Sequence, residues 1–156
     1  MDDPATAPIA VSRSAEPRKR ILIVDDQAAL LKVLRTSLEH HGFAVCGEAK
    51  NGVDAIGRAV ATRPDLVILD VAMPGLNGIE VASILQSLLP SVPIILHTIY
   101  ADRVGKSLKT LVGIKAVVAK SEGVGKLIDR VRSLTDGLVT NQAPSDAPST
   151  GEKAEN

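Results

Sequence analysis

The chain has 156 residues, with 18 Lys plus Arg against 18 Asp plus Glu, so its formal net charge is zero. Hydrophobic residues make up 45% but aromatics only 1%, Phe43 and Tyr100 with no Trp, so the core must be aliphatic and base stacking on aromatic platforms is not expected. A single cysteine, Cys46, rules out a disulfide framework, and one Cys with three scattered His builds no zinc cluster.

The length fits one domain, long enough to bury roughly two-thirds of the surface of its unfolded chain. Residues 1–19 are rich in Pro, Ala and Ser and read as a flexible lead-in without the apolar h-region of a secretory signal. Short continuous apolar runs then predict strands at Ile21–Val24, Phe43–Cys46, Leu66–Leu69, Pro93–Leu96 and Ala116–Ala119. Continuous rather than alternating apolarity suggests strands buried on both faces. Helical spacing separates them. Leu30, Leu31, Leu34 and Leu38 predict a first helix, and Val53, Ile56, Gly57 and Val60 a second. Ile79, Ala82, Leu85 and Leu89 predict a third, and Val104, Leu108 and Leu111 a shorter fourth. Val124, Leu127, Ile128, Val131 and Leu134 close the domain at about residue 137. Gly42, Pro64, Pro90 and Gly113 punctuate the helix ends. Residues 138–156 are expected to form a disordered tail. The stretch NQAPSDAPSTGEKAEN holds no Leu, Ile, Val, Met or aromatic residue to offset ordering entropy. No repeat is apparent, and no run approaches the ~18 apolar residues of a membrane span. Strand–helix alternation repeated five times argues for an α/β domain over residues 20–137 with a parallel sheet, and the chain reads as cytoplasmic.

Three carboxylates fall where strands end: Asp25 and Asp26 in ILIVDD, and Asp70 in LVILD. In open α/β sheets, ligands gather beyond the carboxyl ends of the strands at the switch point of strand order. If the order is 2-1-3-4-5, all three acids converge in one crevice. Three close carboxylates repel, and a hard cation with an oxygen shell, such as magnesium, removes the repulsion. The plainer alternative is that Asp25 and Asp26 cap the helix that follows, which explains one acid but not three. Thr98 ends the fourth strand in PIILHT, and Lys120 ends the fifth in AVVAK. A hydroxyl and an ammonium facing a magnesium–carboxylate cluster suit phosphoryl transfer, with Asp70 as the nucleophile.

These residues, with the loop MPGLNG at Met73–Gly78, resemble the receiver (response-regulator) domain of bacterial two-component signalling over about residues 20–137. The resemblance implies a flavodoxin-like doubly wound five-stranded parallel sheet of order 2-1-3-4-5 with five helices. This is the fold and strand order of the chemotaxis receiver. The resemblance also implies that Asp70 is the phosphoacceptor. Asp26 and Asp70 would ligate Mg2+ directly, Asp25 mainly through water, and the backbone carbonyl of Ala72 would complete the protein ligands. Lys120 would pair with the acyl phosphate, and Thr98 would move toward it on activation. A sensor histidine kinase or phosphotransfer protein would donate the phosphoryl group. The stretch GFAVCGEAKNG at Gly42–Gly52 looks most like receivers that precede a helix-turn-helix output. No output domain follows, so a stand-alone regulator that signals by protein binding is expected. It would catalyse only its own phosphorylation and dephosphorylation.

Three positions depart from the family pattern. Ile99 stands where a small residue usually follows the switch hydroxyl, Val117 where an aromatic often rotates inward, and Ser121 where Pro is common. Ile99 would narrow access to the phosphoryl group, Val117 removes the aromatic rotation, and Ser121 offers a cap for the last helix. Tyr100, two residues after Thr98, would partly shield an aspartyl phosphate and slow its loss, or is a surface residue at the start of a loop. His97 reads as a packed strand residue, His40 and His41 as the end of the first helix, and Cys46 as a small core residue.

Charge is unevenly spread. Residues 103–132 hold eight basic and two acidic residues, and residues 20–102 six basic and nine acidic. The basic stretch covers the face on which the family usually docks its downstream protein, and a basic face favours an acidic partner. No DNA-reading motif is present, so direct nucleic-acid binding is not expected. Two rival functions stand beside the switch: a non-switching receiver used as a constitutive interaction module, and a flavodoxin-like electron carrier. DDQAALL after the first strand would repel a flavin phosphate. A haloacid-dehalogenase phosphatase would need an Asp where Ala72 stands.

Overall fold

The computed structural model describes residues 17–104 and 113–142, with side chains described as far as Asp136. The elements follow one another as β1 (Arg20–Val24), α1 (Ala28–His40), β2 (Ala44–Ala49), α2 (Gly52–Thr62), β3 (Leu66–Leu69) and α3 (Gly78–Leu88). They continue as β4 (Ile94–Thr98), α4 (Ala101–Val104), β5 (Ile114–Ala119), a 3-10 turn at Lys120–Glu122 and α5 (Val124–Gln142). All strand pairs are parallel, in the order β2-β1-β3-β4-β5. Both the five-stranded sheet and its order agree with the sequence expectation.

Continuous apolar strands need cover on both faces, and they have it. Leu22, Val24, Val67, Leu69, Ile94 and Leu96 pack with Ala55 and Ala59 of α2, with Val81, Ala82 and Leu85 of α3, and with Val104 of α4. Ile21, Ile23, Leu66, Ile68, Ile95 and Val118 pack with Leu31, Leu34 and Leu38 of α1 and with Leu127, Ile128 and Val131 of α5. Each such side chain contributes about 1.5–3 kcal/mol when fully buried. The apolar stripes read for α1 and α5 are therefore the buried ones.

The second helix differs. Its buried residues are Gly52, Ala55 and Ala59, while Val53 and Val60 are exposed and Ile56 is half-buried. Small residues face inward because α2 packs close: a Cβ on Gly52 would lie 2.7 Å from both Leu76 Cβ and Val81 Cγ2. Of the large apolar residues that suggested an inward stripe, Val53 and Val60 point outward, while Ile56 packs half-buried against the core.

Other boundaries also shift. β2 runs on to Ala49, past the expected end at Cys46, and Cys46 itself is only half-buried. α5 runs to Gln142, beyond residue 137, where the tail was expected to begin. Ser121 does not start that helix; it lies exposed in the 3-10 turn, and Gly123, at φ +89°, separates the turn from α5. The lead-in at 1–16, Leu108 and Leu111 of the fourth helix, and the tail beyond Gln142 lie outside the described residues. Among the described residues no helix is long and apolar enough to cross a membrane.

Candidate functional site

The polar residues at the strand ends come together because parallel strands deliver their carboxyl ends to one edge. The backbone amide of Asp25 donates to Ala49 O and that of Asp70 to Val24 O, both at 3.0 Å, so the sheet ladder holds both acids one step beyond their strands. Asp25, Asp26 and Asp70 each offer a carboxylate oxygen within 4.8 Å of the others. Asp25 and Asp70 are buried, at 1% and 3% exposure, and Asp26 is exposed. One side of the cluster is therefore walled by protein and the other opens to water.

Lys120 enters from the start of the 3-10 turn. Its Nζ lies 2.8 Å from Asp25 Oδ2 and 3.3 Å from Asp70 Oδ2. Burial alone would lower its pKa, but the Asp25 hydrogen bond and the two negative charges outweigh this and hold it above the usual lysine value. The opposite balance governs Asp70. Burial and then the Asp25 charge raise its pKa, and Lys120 and the Ala72 N–H only partly oppose them. Among the described residues one cation thus serves two buried carboxylates with a third acid beside them. That shortfall in positive charge fits a hard divalent cation, and a set made only of oxygen donors fits magnesium.

The capping alternative for the paired acids does not hold. The N-cap of α1 is Gln27, without a side-chain cap, and Asp25 Oδ1 instead accepts the Gln27 N–H at 2.9 Å. Thr98 is fully buried at the end of β4, and its Oγ1 accepts the Tyr100 N–H at 3.0 Å. Ala72 is exposed beside Asp70, and its N–H donates to Asp70 Oδ1 at 3.3 Å. Tyr100 is 40% and Ile99 66% exposed, so Ile99 faces solvent and not the interior.

The loop after Asp70 is shaped by one close approach. Gly78 N–H donates to Val71 O at 2.8 Å, and Gly78 packs so tightly that a Cβ there would fall on the Asp70 carbonyl oxygen. Asn77 caps α3 by accepting from the N–H groups of Ile79 and Glu80, while Glu80 Oε1 accepts the Asn77 N–H. This reciprocal cap fixes where Gly78 sits and, through it, the Asp70 backbone.

The loop, the acids, the lysine and the hydroxyl stand on a sheet of order β2-β1-β3-β4-β5, and residues 21–132 match the model of the response regulator receiver domain. The chain belongs to the response regulator receiver family. It is 38% identical over 118 residues to the DNA-binding response regulator MtrA of Mycolicibacterium paratuberculosis, covering 74% of this chain and 51% of that protein. The chain thus spans about half the length of the curated relatives it matches. A CheY-like receiver domain protein from Methanospirillum hungatei superposes with a TM-score of 0.74 at 25% identity, over 80% of this chain and 99% of that one. TrrA of Thermotoga maritima, solved in complex with Mg(2+)-BeF, superposes with a TM-score of 0.67 at 34% identity, over 74% of this chain and 98% of that one.

One residue beside the receiver site does not stand out in the sequence as part of it. His97 is 3% exposed, and among the described residues its Nδ1 has no hydrogen-bond partner. The registers Val24↔Leu69 and Leu69↔Leu96, continued by one residue, set Asp25, Asp70 and His97 side by side on adjacent strands. Burial first, and then the Lys120 charge, lower its pKa to about 4, against the opposing pull of Asp25. It is therefore a neutral imidazole beside the acid cluster. Its position next to Thr98 is the one sequence signal, and a strand histidine is more often packing than chemistry.

Proposed function

We propose that this receiver accepts a phosphoryl group on Asp70 and signals through protein–protein contacts. The observation that carries the reading is the pairing of buried Asp70 with Lys120 Nζ at 3.3 Å inside a three-carboxylate cluster. Asp70 Oδ attacks phosphorus while the bond from phosphorus to the donor nitrogen or oxygen breaks, and the leaving group takes up a proton. Lys120 stays charged and faces the negative charge that develops on the phosphoryl oxygens. The Thr98 hydroxyl supplies a hydrogen bond from the end of β4. Asp25, Asp26, Asp70 and the Ala72 carbonyl would hold Mg2+, which when bound supplies charge neutralisation for the transfer.

The donor is a sensor histidine kinase or a phosphotransfer protein, and the setting is the cytoplasm. Output passes to a protein with an acidic docking surface through the basic 103–132 face. The protein turns over no separate metabolite and contacts no nucleic acid directly. The competing reading, a constitutive interaction module, draws on Val117, which packs half-buried where an aromatic switch would stand.

Incubation with acetyl phosphate and Mg2+, read by intact mass, tests the proposal. A phosphoryl mass increment is expected, abolished by Asp70→Ala. An increment that persists in Asp70→Ala, or none in the parent, would overturn it.

A further inference from the structure

We propose that the outer face of α2 and α3 is the interface of a weak homodimer of this chain, formed without phosphorylation. The surface lies outside the acid cluster, and the dimer holds whether or not Asp70 takes up a phosphoryl group.

Among the described residues seven large hydrophobics are exposed, and four of them lie on these two helices: Val53 at 73%, Val60 at 47%, Ile84 at 37% and Leu88 at 51%. The helical repeat gathers the four on one side. Asp54 and Arg58 of α2 line the cleft beside β2, together with Cys46 and Glu48. At about 3.6 residues per turn, Val53 and Val60 fall on the opposite flank, toward α3. Gln86 of α3 lies against Gly113 at the entry to β5, so Ile84 and Leu88 fall on the flank toward α2. Gly57 and Ala61, one turn apart and both exposed, complete the α2 side. Together these residues present an apolar surface of roughly 300–400 Å2, the size at which exposed patches mark interaction sites.

Charge and backbone both select a second copy as the occupant. α2 and α3 carry three charged residues, and each is engaged off this face. Arg58 Nε pairs with Asp54 Oδ2 at 3.4 Å on the β2 side, and Glu80 Oε1 accepts the Asn77 N–H in the cap of α3. In a two-fold contact, residues near the axis meet their own counterparts, so a charged face repels itself and an uncharged one does not. Gly57 supplies the second argument. It has no positive φ, and a Cβ there would meet nothing within 4 Å. The fold therefore has no use for glycine at this helix-interior position, where alanine is the better helix former. A second α2 crossing at Gly57 does have a use for it, because a missing side chain lets two backbones approach. Val53 and Val60 then flank the crossing, and Ile84 and Leu88 close its edge. Two copies bury about twice the patch, below the ~1,200 Å2 typical of stable complexes, so the dimer is weak and concentration-dependent.

Sedimentation equilibrium of the full chain tests the dimer. Without phosphoryl donor it should show a monomer–dimer equilibrium with a Kd between about 10 μM and 1 mM. Val60→Glu sets two carboxylates near the axis and should weaken association by about tenfold or more. Val33→Glu changes a valine of similar exposure on α1, 50%, and should leave association unchanged. Gly57→Leu enlarges the apolar face but blocks the crossing, so it should also weaken the dimer. Strengthening by Gly57→Leu would mean a contact set by apolar area alone and would overturn the proposal. So would a chain that stays monomeric throughout, whether the face is covered by another segment of the same chain or kept for a different protein. A dimer insensitive to Val60→Glu, or one that forms only after acetyl phosphate and Mg2+, overturns it as well. Failure of Asp70 to take up a phosphoryl group leaves the dimer standing, so the two readings fail separately.

Discussion

Gly78→Ala is the sharpest probe of how the loop after Asp70 serves the site. The backbone at Gly78 does not have a positive φ, so the new side chain meets no conformational penalty there; the constraint is space. The added Cβ would fall on the Asp70 carbonyl oxygen and lie 2.6 Å from Val71 Cα and 2.9 Å from the Asp70 carbonyl carbon. All three are backbone atoms, which cannot swing aside as a side-chain tip does. Ordinary contact begins at 3.4 Å, so the first turn of α3 and the 70–71 peptide must separate on the order of 1 Å. Overpacking of this kind costs about 1–3 kcal/mol. For a domain of this size that lowers the melting temperature by roughly 4–12 °C. The separation also moves the Asp70 carboxylate relative to Lys120, Asp25 and Asp26. A 1 Å misplacement of a reacting group costs on the order of 100-fold in rate. The assays are thermal unfolding and the rate of mass gain with acetyl phosphate and Mg2+. An alanine variant that melts with the parent and phosphorylates at the parent rate would refute the close-approach reasoning. Gly57, where a Cβ meets nothing within 4 Å, is the control: Gly57→Ala should leave the rate unchanged and, as a helix-interior glycine, gain stability.

Three further outcomes follow from groups already placed. His97 has a folded pKa of about 4 against 6.5 unfolded, so its neutral form contributes stability above pH 6.5 that is lost as pH falls toward 4. Urea unfolding should show a loss of roughly 3 kcal/mol across that window, and His97→Leu should flatten it; an unchanged slope in the variant would sink the assignment. Asp70 has a raised pKa, so the folded state binds its proton more tightly and loses that advantage as pH rises through the folded value. Asp70→Asn should therefore melt higher than the parent at pH 7 without added Mg2+, with the gain shrinking at acid pH, and a lower melting point at pH 7 would contradict the charge balance drawn for the cluster. Asn77→Ala removes the reciprocal cap of α3 and should cost about 1 kcal/mol in urea unfolding, more than Asn51→Ala at the simpler cap of α2.

The parts legible in the sequence are those that depend on chain order and residue type. Ile21–Val24 and Leu66–Leu69 announce two-sided burial because four apolar residues in a row leave neither face of a strand fit for water, and each run is followed at once by its acid. Once two parallel strands pair, the acids that follow them have to meet, so the cluster is readable from chain order. The inward face of α2 is not readable in the same way. Apolar size marks the buried stripe only when helix and sheet stand at ordinary separation. Here Gly52 lets α2 approach Leu76 and Val81 closely, and alanine then fills the interface better than valine. The cap of α3 is half legible: Asn77 and Glu80 have capping-box spacing, but that the cap also positions Asp70 depends on how Gly78 meets the β3 exit.

His97 and Asp70 show why the remainder is hidden. Both are perturbed in the direction that burial dictates, the imidazole toward neutrality and the carboxyl toward its protonated form. No residue-by-residue pattern encodes burial at a strand end, because it depends on which helices close over the edge. The consequence for function is direct. A cluster of three acids with Lys120 as its close cation is held in a state that folding alone does not favour, and an imidazole nitrogen without a partner among the described residues lies beside it. Positive charge bound at the acids relieves that cost, and with that charge in place an acyl phosphate on Asp70 carries its own charge farther out, toward water. The site is thus least comfortable when empty of ligand, and ligand binding and phosphorylation should each raise the stability of the domain. Thermal unfolding with Mg2+ alone and with Mg2+ plus beryllium fluoride should rise in that order, and Asp70→Asn should abolish the second step; a flat response in the parent would show that the acid cluster is already balanced by the protein itself.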